Sequence, residues 1–269
     1  MSAFLRALDH EGLTPRNVNK HREVLASMFA YGCREDSLGL LANPVDGTDK
    51  RRQPPPAALD YFEVEEVEAL AGACERGEHR LAREMLDPSE IAARRQEDQR
   101  DADAFRLLFY TGIRLGEALT LRWGDIDIEG RILFVRRGLS AGEERLPKGG
   151  RARLVPLPMP AIETLARLRD RDGFTAPDDY VLVNRLGRRL DPSALRRRYK
   201  WACGAAGLPP VRLHGLRHAA GSLVARTSDA VFVRDFLGHA KLSTTDRYVS
   251  AKVRPEDLER LDRAFRAHS

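Results

Sequence analysis

Residues 101–137, DADAFRLLFYTGIRLGEALTLRWGDIDIEGRILFVRR, contain the change of pattern that decides the fold. Their first part places Phe105, Leu108 and Phe109 at helical spacing before Gly112, a residue typical of helix ends. Their last part, RILFVRR, has the length and aliphatic composition of a β-strand. The stretch therefore predicts a core-facing helix, a turn and the start of a sheet.

The same two patterns recur on either side of this stretch. Upstream, FEVEEVEALAGACERGE (62–78) predicts an acidic helix with one apolar face. Downstream, RARLVPLP (151–158) predicts a second strand, and helical patterns resume from Ala161. The predicted fold class is mainly α with a small antiparallel β-sheet, an α+β architecture.

The N-terminal region has a pattern of its own. Residues 1 to about 48 predict two or three helices, one of them capped by Thr14 with Pro15 in its first turn. Three consecutive prolines at 54–56 cannot continue a helix or a central strand. The predicted division is a helical region at 1–50, a linker at 51–57 and a larger domain at 58–269.

Charge is distributed unevenly along a chain of 269 residues with a net charge of +5. Residues 58–104 hold 14 acidic and 6 basic side chains, whereas residues 185–217 hold 9 basic and 1 acidic. A basic surplus of this kind predicts an anionic partner. Residues 76–100, in the acidic part, are poorly periodic, and we expect an exposed helical elaboration there.

Cysteine usage and hydropathy bear on the compartment. The three cysteines, Cys33, Cys74 and Cys203, are far apart and odd in number, which disfavours a zinc site or a disulfide framework. No run approaches the ~18 apolar residues of a membrane span, and no N-terminal apolar segment resembles a signal peptide. We expect a soluble protein of the reducing cytoplasm.

Cationic and titratable groups are concentrated in RLHGLRHAAGS, residues 212–222. Arg212, His214, Arg217 and His218 fall within seven positions, and cations so close together repel one another unless an anion lies among them. In a helix, His214 and Arg217 would present a cationic face opposite an apolar one. A capping or surface role is the alternative for a single pair of this kind.

Three further groups of residues are candidates for chemistry. Arg114 lies three positions before Glu117, Lys148 is in a predicted turn between strands, and His239 precedes Tyr248 by nine positions. Each has an ordinary alternative explanation: an ion pair at a helix start, a solvated turn lysine, or core residues with satisfied polar tips.

Together these motifs resemble those of the tyrosine recombinase (phage integrase-like) family in order and spacing. The resemblance rests on Arg114 with Glu117, Lys148, His214-x-x-Arg217, Leu237-Gly238-His239 and Tyr248. It extends from about residue 57 to the C-terminus, where it implies a catalytic domain. It also implies a helical core-binding region before that domain, and residues 1–50 are expected to be a truncated form of it.

The resemblance implies cleavage and rejoining of DNA strands through a covalent intermediate. Tyr248 would attack the phosphodiester and form a 3′-phosphotyrosyl bond, releasing a 5′-hydroxyl. Arg114 and Arg217 would bind the scissile phosphate with paired hydrogen bonds and stabilise its transition-state charge. A free phenol, with a pKa of ~10, is only about 0.1% ionised at pH 7, so the nucleophile needs a cationic pocket and a base.

The remaining roles also follow from the resemblance. His214 would accept the proton of the nucleophile, Lys148 would protonate the leaving oxygen, and His239 would hydrogen-bond the phosphate. Glu117 would orient the arginine and histidine side chains. No metal ligand set is predicted, and neither a metal nor an organic cofactor is implied.

The expected partner is a double-stranded DNA recombination site. The basic segment PSALRRRYKWACGAAG would contact the DNA backbone or enter a groove, although a solvated helix face is the alternative. Its candidate DNA-binding residues are Arg196, Arg197, Arg198 and Lys200. A C-terminal amphipathic helix with Leu258, Leu261 and Phe265 on one side either docks on its own domain or mediates self-association on DNA.

Two alternatives to a site-specific recombinase or integrase remain at the sequence level. A type IB topoisomerase-like enzyme would use a similar site to relax DNA without preferring a paired target. A truncated, non-recombining DNA-binding relative would keep the fold and form no covalent adduct. The candidate residues of the motifs are all present, which favours an active enzyme.

Overall fold

The computed structural model describes residues 1–34, 37–54, 61–80, 87–146, 152–171, 173–209 and 211–238. The chain divides into two compact units, Met1–Ala57 and Ala58–Ser269. Within the described ranges the first unit is helical, and the second combines helices with two small antiparallel sheets. The predicted α+β fold class is confirmed. The assignment of the first unit as a core-binding region stays a prediction.

The first unit contains helices α1 (Ser2–His10) and α2 (Pro15–Gly32). Helix α2 begins as predicted, because the Thr14 hydroxyl accepts a hydrogen bond from the Asn17 backbone N–H at 3.4 Å. The Asn19 side chain donates to the Arg51 carbonyl at 2.8 Å and accepts from the Arg51 N–H at 2.7 Å. These two bonds hold Arg51, the first residue of the predicted linker, against α2.

The described helices of the second unit are α3 (Val64–Glu75), α4 (Pro88–Thr111), α5 (Leu115–Ala118), α6 (Met159–Arg169), α7 (Pro192–Ala205), α8 (Gly215–Val224) and α9 (Ala230–Leu237). Its strands are β1 (Ile126–Asp127), β2 (Ile132–Val135), β3 (Gly138–Ser140), β4 (Glu143–Arg145) and β5 (Arg153–Pro156). None of the described helices in either unit combines the length and the apolar character needed to cross a bilayer.

Strand β2 is the centre of the three-stranded sheet. It pairs antiparallel with β1 on one side and β5 on the other, and Leu133 lies opposite Val155. Both of these side chains are buried in the main core. The predicted pairing of RILFVRR with RARLVPLP in an antiparallel sheet is therefore confirmed, and β3 with β4 forms a separate hairpin.

Helix α4 is the central core helix and the element that positions the first motif. Phe105, Leu107 and Phe109 are fully or almost fully buried along it. The helix ends at Gly112, which adopts a left-handed conformation with φ 60° and donates its N–H to the Leu108 carbonyl at 3.1 Å. A Cβ added to Gly112 would lie 3.0 Å from Leu237, so this glycine also permits close packing.

The expectation of an exposed elaboration at residues 76–100 is wrong for part of that segment. His79 is fully buried, and Asp98 is 4% exposed. The His79 Nε2 atom lies 3.1 Å from the Asp101 carboxylate, to which Arg80 also donates at 2.7 Å. Charged residues are tolerated in a protein interior when they are paired in this way, and an irregular hydrophobic pattern does not exclude their burial.

Candidate active site

The first motif residues lie where α4 ends and α5 begins. The Arg114 backbone N–H donates to Glu117 Oε2 at 2.8 Å, and its guanidinium donates to Glu117 Oε1 at 2.9 Å. Glu117 is buried and also accepts two hydrogen bonds from Arg153, at 2.8 and 2.7 Å. One carboxylate therefore holds two arginines from different elements.

Electrostatics keep this carboxylate ionised. Burial opposes its ionisation, but the hydrogen bonds and charge of Arg153, together with Arg114, lower the pKa of Glu117 to about 2. Glu117 is thus an anion throughout the neutral range. It can orient guanidinium groups by accepting hydrogen bonds and does not exchange a proton near neutral pH.

Arg153 is a member of this group that no sequence motif indicated. The residue lies in β5, and its side chain is 14% exposed. The only feature of the sequence that could have indicated Arg153 is its position as a basic residue in a short aliphatic strand, five residues after Lys148. That signal is weak, because the partner Glu117 lies 36 residues earlier in the chain.

The second arginine of the site, Arg217, connects two helix ends. It lies in the first turn of α8 and is 3% exposed. Its guanidinium donates to the Gly112 carbonyl at 2.5 Å and to the Leu237 carbonyl. Arg114 donates to the next carbonyl along the chain, that of Gly238, at 3.4 Å. The two arginines therefore meet at the Leu237–Gly238 turn, directly before His239 in the sequence.

A small cavity opens beside Arg217. It has a volume of about 120 Å³, and the polar residues that line it are Arg196, His214 and Arg217. Leucine and isoleucine side chains form its other walls. The volume is about four times the ~30 Å³ that a water molecule occupies in the liquid, so a phosphate-sized anion fits. The cavity thus offers cationic and hydrogen-bonding groups to such an anion.

His214 lies directly before α8, with its ring edge-on to that of His218 at 4.7 Å between centroids. Desolvation beside the cavity lowers the pKa of His214 from its ordinary value, although the residue keeps an exposed surface. Arg217 and Arg114 lower that pKa further, because they disfavour a second positive charge nearby. Both effects favour the neutral imidazole, which is the form that is able to accept a proton.

The predicted DNA-binding residues of α7 do not share one environment. Arg196, Arg197 and Lys200 are exposed, and the Arg197 guanidinium lies over the ring of Trp201 at 5.6 Å. Arg198 points the other way, with Nε 2.7 Å from a carboxylate oxygen of buried Asp101 and a side chain that is 16% exposed. The charge of Arg198 is already neutralised within the protein, and its contact with DNA stays a prediction.

Several predicted residues lie outside the described residues. They are Lys148, His239 and Tyr248, together with Leu258, Leu261 and Phe265 of the predicted C-terminal helix. The structure brings together Arg114, Glu117, His214 and Arg217, which are separated by up to 103 positions in the sequence. The predicted roles of all these residues stay predictions.

One group among the described residues has metal-ligand side chains close together. Potential ligand atoms of His79, Asp98 and Asp101 lie within 4.8 Å of one another. Arg80 Nε is 2.6 Å from Asp98, and both Arg80 and Arg198 lie 2.7 Å from Asp101. Guanidinium groups already neutralise the two carboxylates, so this group is built as an ion-pair core and fits a cation poorly.

Comparison with known proteins identifies the family. Residues 62–254 match the phage integrase family. This match covers well over half of the chain and includes every candidate residue from Arg114 to Tyr248. The chain belongs to the phage integrase family, the tyrosine recombinases that the motif order indicated.

Similar curated proteins are tyrosine recombinases of bacteria. The tyrosine recombinase XerC of Methylobacterium sp. (strain 4-46) is 35% identical over 171 residues, which are 62% of this chain and 49% of that protein. The XerC protein of Mycobacterium sp. (strain KMS) is 33% identical over 180 residues, 64% of this chain and 57% of that protein. The chain thus spans about half the length of these relatives.

Solved structures share the fold at low sequence identity. The Tn1549 transposon integrase in complex with transposon right end DNA has a TM-score of 0.72 and 16% identity, covering 98% of this chain and 84% of that one. A lambda integrase (75–356) dimer bound to a COC′ core site has a TM-score of 0.68 and 18% identity, covering 94% and 82%. The fold of the chain is therefore that of integrase structures.

Proposed function

We propose that this protein is a site-specific DNA recombinase or integrase that cleaves and rejoins DNA strands through a 3′-phosphotyrosyl intermediate. One observation carries the proposal. Arg114 and Arg217, from distant parts of the chain, converge on the carbonyls of Gly112, Leu237 and Gly238, and Arg217 lines a phosphate-sized cavity. Membership of the phage integrase family supports the same chemistry.

The scissile phosphate occupies the cationic cavity in this proposal. Arg217 is held by backbone carbonyls and Arg114 by Glu117, so both guanidinium groups are oriented before DNA arrives. Groups that are already oriented stabilise the charge of a pentacoordinate transition state without further reorganisation. Removing one such donor typically slows a reaction by about 10²–10³-fold.

The covalent step follows from the family resemblance. The Tyr248 oxygen attacks the phosphorus as the bond to the 5′-oxygen breaks, and the phosphotyrosyl bond conserves the energy needed for rejoining. His214, whose lowered pKa favours the neutral imidazole, accepts the phenolic proton, and Lys148 gives a proton to the departing 5′-oxygen. His239 hydrogen-bonds the phosphate, and Glu117 orients the arginines. No step requires a metal ion or an organic cofactor.

The proposed partner is a duplex DNA recombination site in the cytoplasm. Solved structures of integrases with transposon end DNA, and of a dimer on a core site, support this choice. Exposed Arg196, Arg197 and Lys200 on α7 are suited to phosphate contacts. The predicted C-terminal helix, residues 258–265, would mediate self-association on the site.

Covalent trapping tests the proposal directly. The protein is incubated with nicked fragments of the source genome, denatured, and the protein-linked DNA is sequenced. We expect a narrow set of target sequences with the parent protein and none with Tyr248→Phe, which should still bind the recovered targets. Adducts formed by Tyr248→Phe would refute the nucleophile assignment.

The other outcomes separate the proposal from its rivals. Tyrosine-dependent adducts without sequence preference would indicate a topoisomerase-like enzyme. DNA binding of equal strength by parent and variant, with no adduct from either, would indicate a non-recombining DNA-binding protein.

A further inference from the structure

A second, larger cavity lies on the N-terminal half of α4, away from the candidate active site. Its volume is about 380 Å³, within the range of small-molecule sites. One face of α4, the end of α6 and the segment 183–185 enclose it. Arg100, in its wall, precedes Gly112 by 12 residues, which corresponds to about 18 Å along the helix at 1.5 Å per residue.

Two arginines of this wall, Arg100 and Arg171, form no ion pair within 4 Å with a carboxylate of the described residues, although the charges of Asp101 and Glu97 act on Arg100. The Arg100 Nε atom is buried without a hydrogen-bond partner among the described residues. Arg171 donates its terminal nitrogens to the carbonyls of Val181, Phe174 and Tyr180, and its Nε atom is also buried without a partner there. Buried donors of this kind are destabilising unless a ligand or water satisfies them.

The two guanidinium groups also repel each other. Burial lowers the pKa of Arg171, and the nearby charge of Arg100 lowers it further. Burial likewise lowers the pKa of Arg100. An anion between two such groups would neutralise their charges and accept their N–H donors.

The described carboxylates that line the cavity are mostly committed elsewhere. Glu97 accepts from Arg185 at 2.6 Å and from Arg80 at 3.0 Å. Asp103 pairs with Arg167 at 2.8 Å and with Arg106 at 3.4 Å. Asp170, at the rim, is exposed to water. The lining as a whole holds four arginines and three carboxylates, so it keeps a net positive charge.

Phe174 gives the cavity an aromatic surface. Its ring packs over Gly187, where a Cβ atom would lie 2.3 Å from the ring, and the residue is 41% exposed. Its backbone adopts φ 56°, which is unfavourable for a residue with a bulky side chain. Unfavourable backbone conformations of this kind are concentrated at ligand sites, because the contacts around them must hold them in place.

We propose that this cavity binds a nucleotide, with its phosphate between Arg100 and Arg171 and its base against the ring of Phe174. Asn184 and Gln99 also line the cavity. The Asn184 Oδ1 atom accepts from the Leu186 N–H and the Gln99 Nε2 atom donates to Asp103, so the other amide atoms would serve as donor and acceptor to the base or sugar. This site is separate from the scissile-phosphate cavity and does not depend on DNA cleavage.

Isothermal titration of the full chain with AMP, GMP, adenosine and inorganic phosphate tests the proposal. We expect saturable binding of at least one of the two nucleotides, at least tenfold weaker binding of inorganic phosphate, and no measurable binding of adenosine. Arg100→Gln should weaken nucleotide binding at least tenfold. Arg95→Gln, an exposed arginine of the same helix, is the matched control and should leave it unchanged.

A second variant keeps the test independent of the folding of Arg100→Gln. Phe174→Ala should bring the affinity for AMP closer to that for inorganic phosphate, because the stacking surface for the base is lost while the phosphate contacts remain. Equal affinity of the parent for AMP and inorganic phosphate would overturn the assignment of the base. Absence of binding, or equal loss in Arg95→Gln, would overturn the site.

The same anion chemistry could be supplied by a DNA phosphate, and competition separates the two sources. We expect AMP to bind equally well in the presence of saturating duplex DNA, and Arg100→Gln to bind duplex DNA as the parent does. Displacement of AMP by duplex DNA, with weaker DNA binding in Arg100→Gln, would assign the cavity to the DNA backbone and overturn the nucleotide proposal.

Discussion

At the scale of single residues, the candidate site depends on one carboxylate shared by two arginines. Glu117 accepts two hydrogen bonds from Arg153 and two from Arg114, so the orientation of Arg114 depends on a residue 39 positions later in the chain. Arg153 touches no substrate in the proposed mechanism. It is a positioning residue, and its removal should affect catalysis through Arg114.

We predict that Arg153→Gln slows DNA cleavage by about 10–100-fold, equivalent to about 1.4–2.7 kcal/mol of transition-state stabilisation. The reason is that Glu117 loses its bidentate partner and no longer holds Arg114 in place. Single-turnover cleavage of a nicked duplex measures the effect, and Arg153→Lys should recover part of the rate. Arg145→Gln, which removes an exposed arginine of β4, is the control.

A purely structural role of Arg153 would give a different result. The thermal midpoint would then fall, but the cleavage rate per folded molecule would equal that of the parent. Cleavage by Arg153→Gln at the parental rate would therefore contradict the positioning role.

Glu117 should also make the free energy of unfolding depend on pH. Its pKa is about 2 in the folded protein and close to 4.5 in the unfolded chain. The unfolded chain therefore binds the proton more readily, and stability from this group is present above about pH 4.5 and lost as the pH falls towards 2. The shift corresponds to as much as about 3 kcal/mol for a group that is almost fully buried.

Urea unfolding of the parent and of Glu117→Gln at a series of pH values between 2 and 7 measures this contribution. Other carboxylates contribute to acid sensitivity, so the difference between the two proteins is the quantity of interest. That difference should shrink steadily between pH 4.5 and 2. A difference that does not change with pH would mean that Glu117 is not held ionised by its arginines.

At the scale of elements, helix α7 uses its two sides differently. One side is buried and includes Leu195, Tyr199 and Ala202. Arg198 lies on the same side and forms an ion pair with Asp101. Arg197 and Lys200 lie on the exposed side. Four basic residues that look alike in the sequence thus divide into DNA-facing candidates and a structural ion pair.

We predict that Arg197→Gln weakens DNA binding and reduces the slope of log K against log salt concentration by about 0.9, the loss of one phosphate contact. Arg198→Gln should leave that slope unchanged. Instead, it should lower the free energy of unfolding by about 1–3 kcal/mol, because Asp101 loses a partner in a buried ion-pair cluster.

Fluorescence anisotropy at several salt concentrations, together with urea unfolding, measures both quantities for the two variants. Each variant serves as the control for the other, since both remove one positive charge from the same helix. A reduced salt slope in Arg198→Gln, without loss of stability, would show that Arg198 contacts DNA.

The same elements show how far the sequence determines the structure. Periodicity and capping correctly predicted the end of α4 at Gly112, the start of α2 at Thr14 and the pairing of β2 with β5, because these depend on local patterns. The burial of His79 was missed, since its partner Asp101 lies 22 residues away and charge normally indicates exposure. Arg153 was missed for the same reason.

The order of the motifs along the chain also predicted which residues belong to the candidate active site. Arg114, Glu117, His214 and Arg217 were selected by spacing and type, and the structure brings their helix ends together. Spacing alone could not reveal that backbone carbonyls of Gly112 and Leu237 hold Arg217, because these contacts arise only when α4, α8 and α9 pack. Sequence thus indicated which residues belong to the site, and packing determined what holds them.

At the scale of the whole molecule, the chain consists of two compact units that divide at Ala57. The second unit contains one continuous hydrophobic core, which extends from Phe62 to Leu237 among the described residues. A unit with its own core of this size is expected to fold without the first. The first unit, expected to be a core-binding region, would clamp DNA together with the second unit, and this role requires both.

We therefore predict that a fragment of residues 58–269 unfolds cooperatively, with a thermal midpoint within about 5 °C of the corresponding transition in the full chain. Its affinity for the target duplex should fall by at least tenfold, because the contacts of the first unit are lost, while tyrosine-dependent cleavage at saturating fragment should remain measurable. Scanning calorimetry, anisotropy and covalent trapping give the three values. A fragment that binds the duplex as tightly as the full chain would show that the first unit does not clamp DNA, and a fragment without a cooperative transition would show that the two units fold as one.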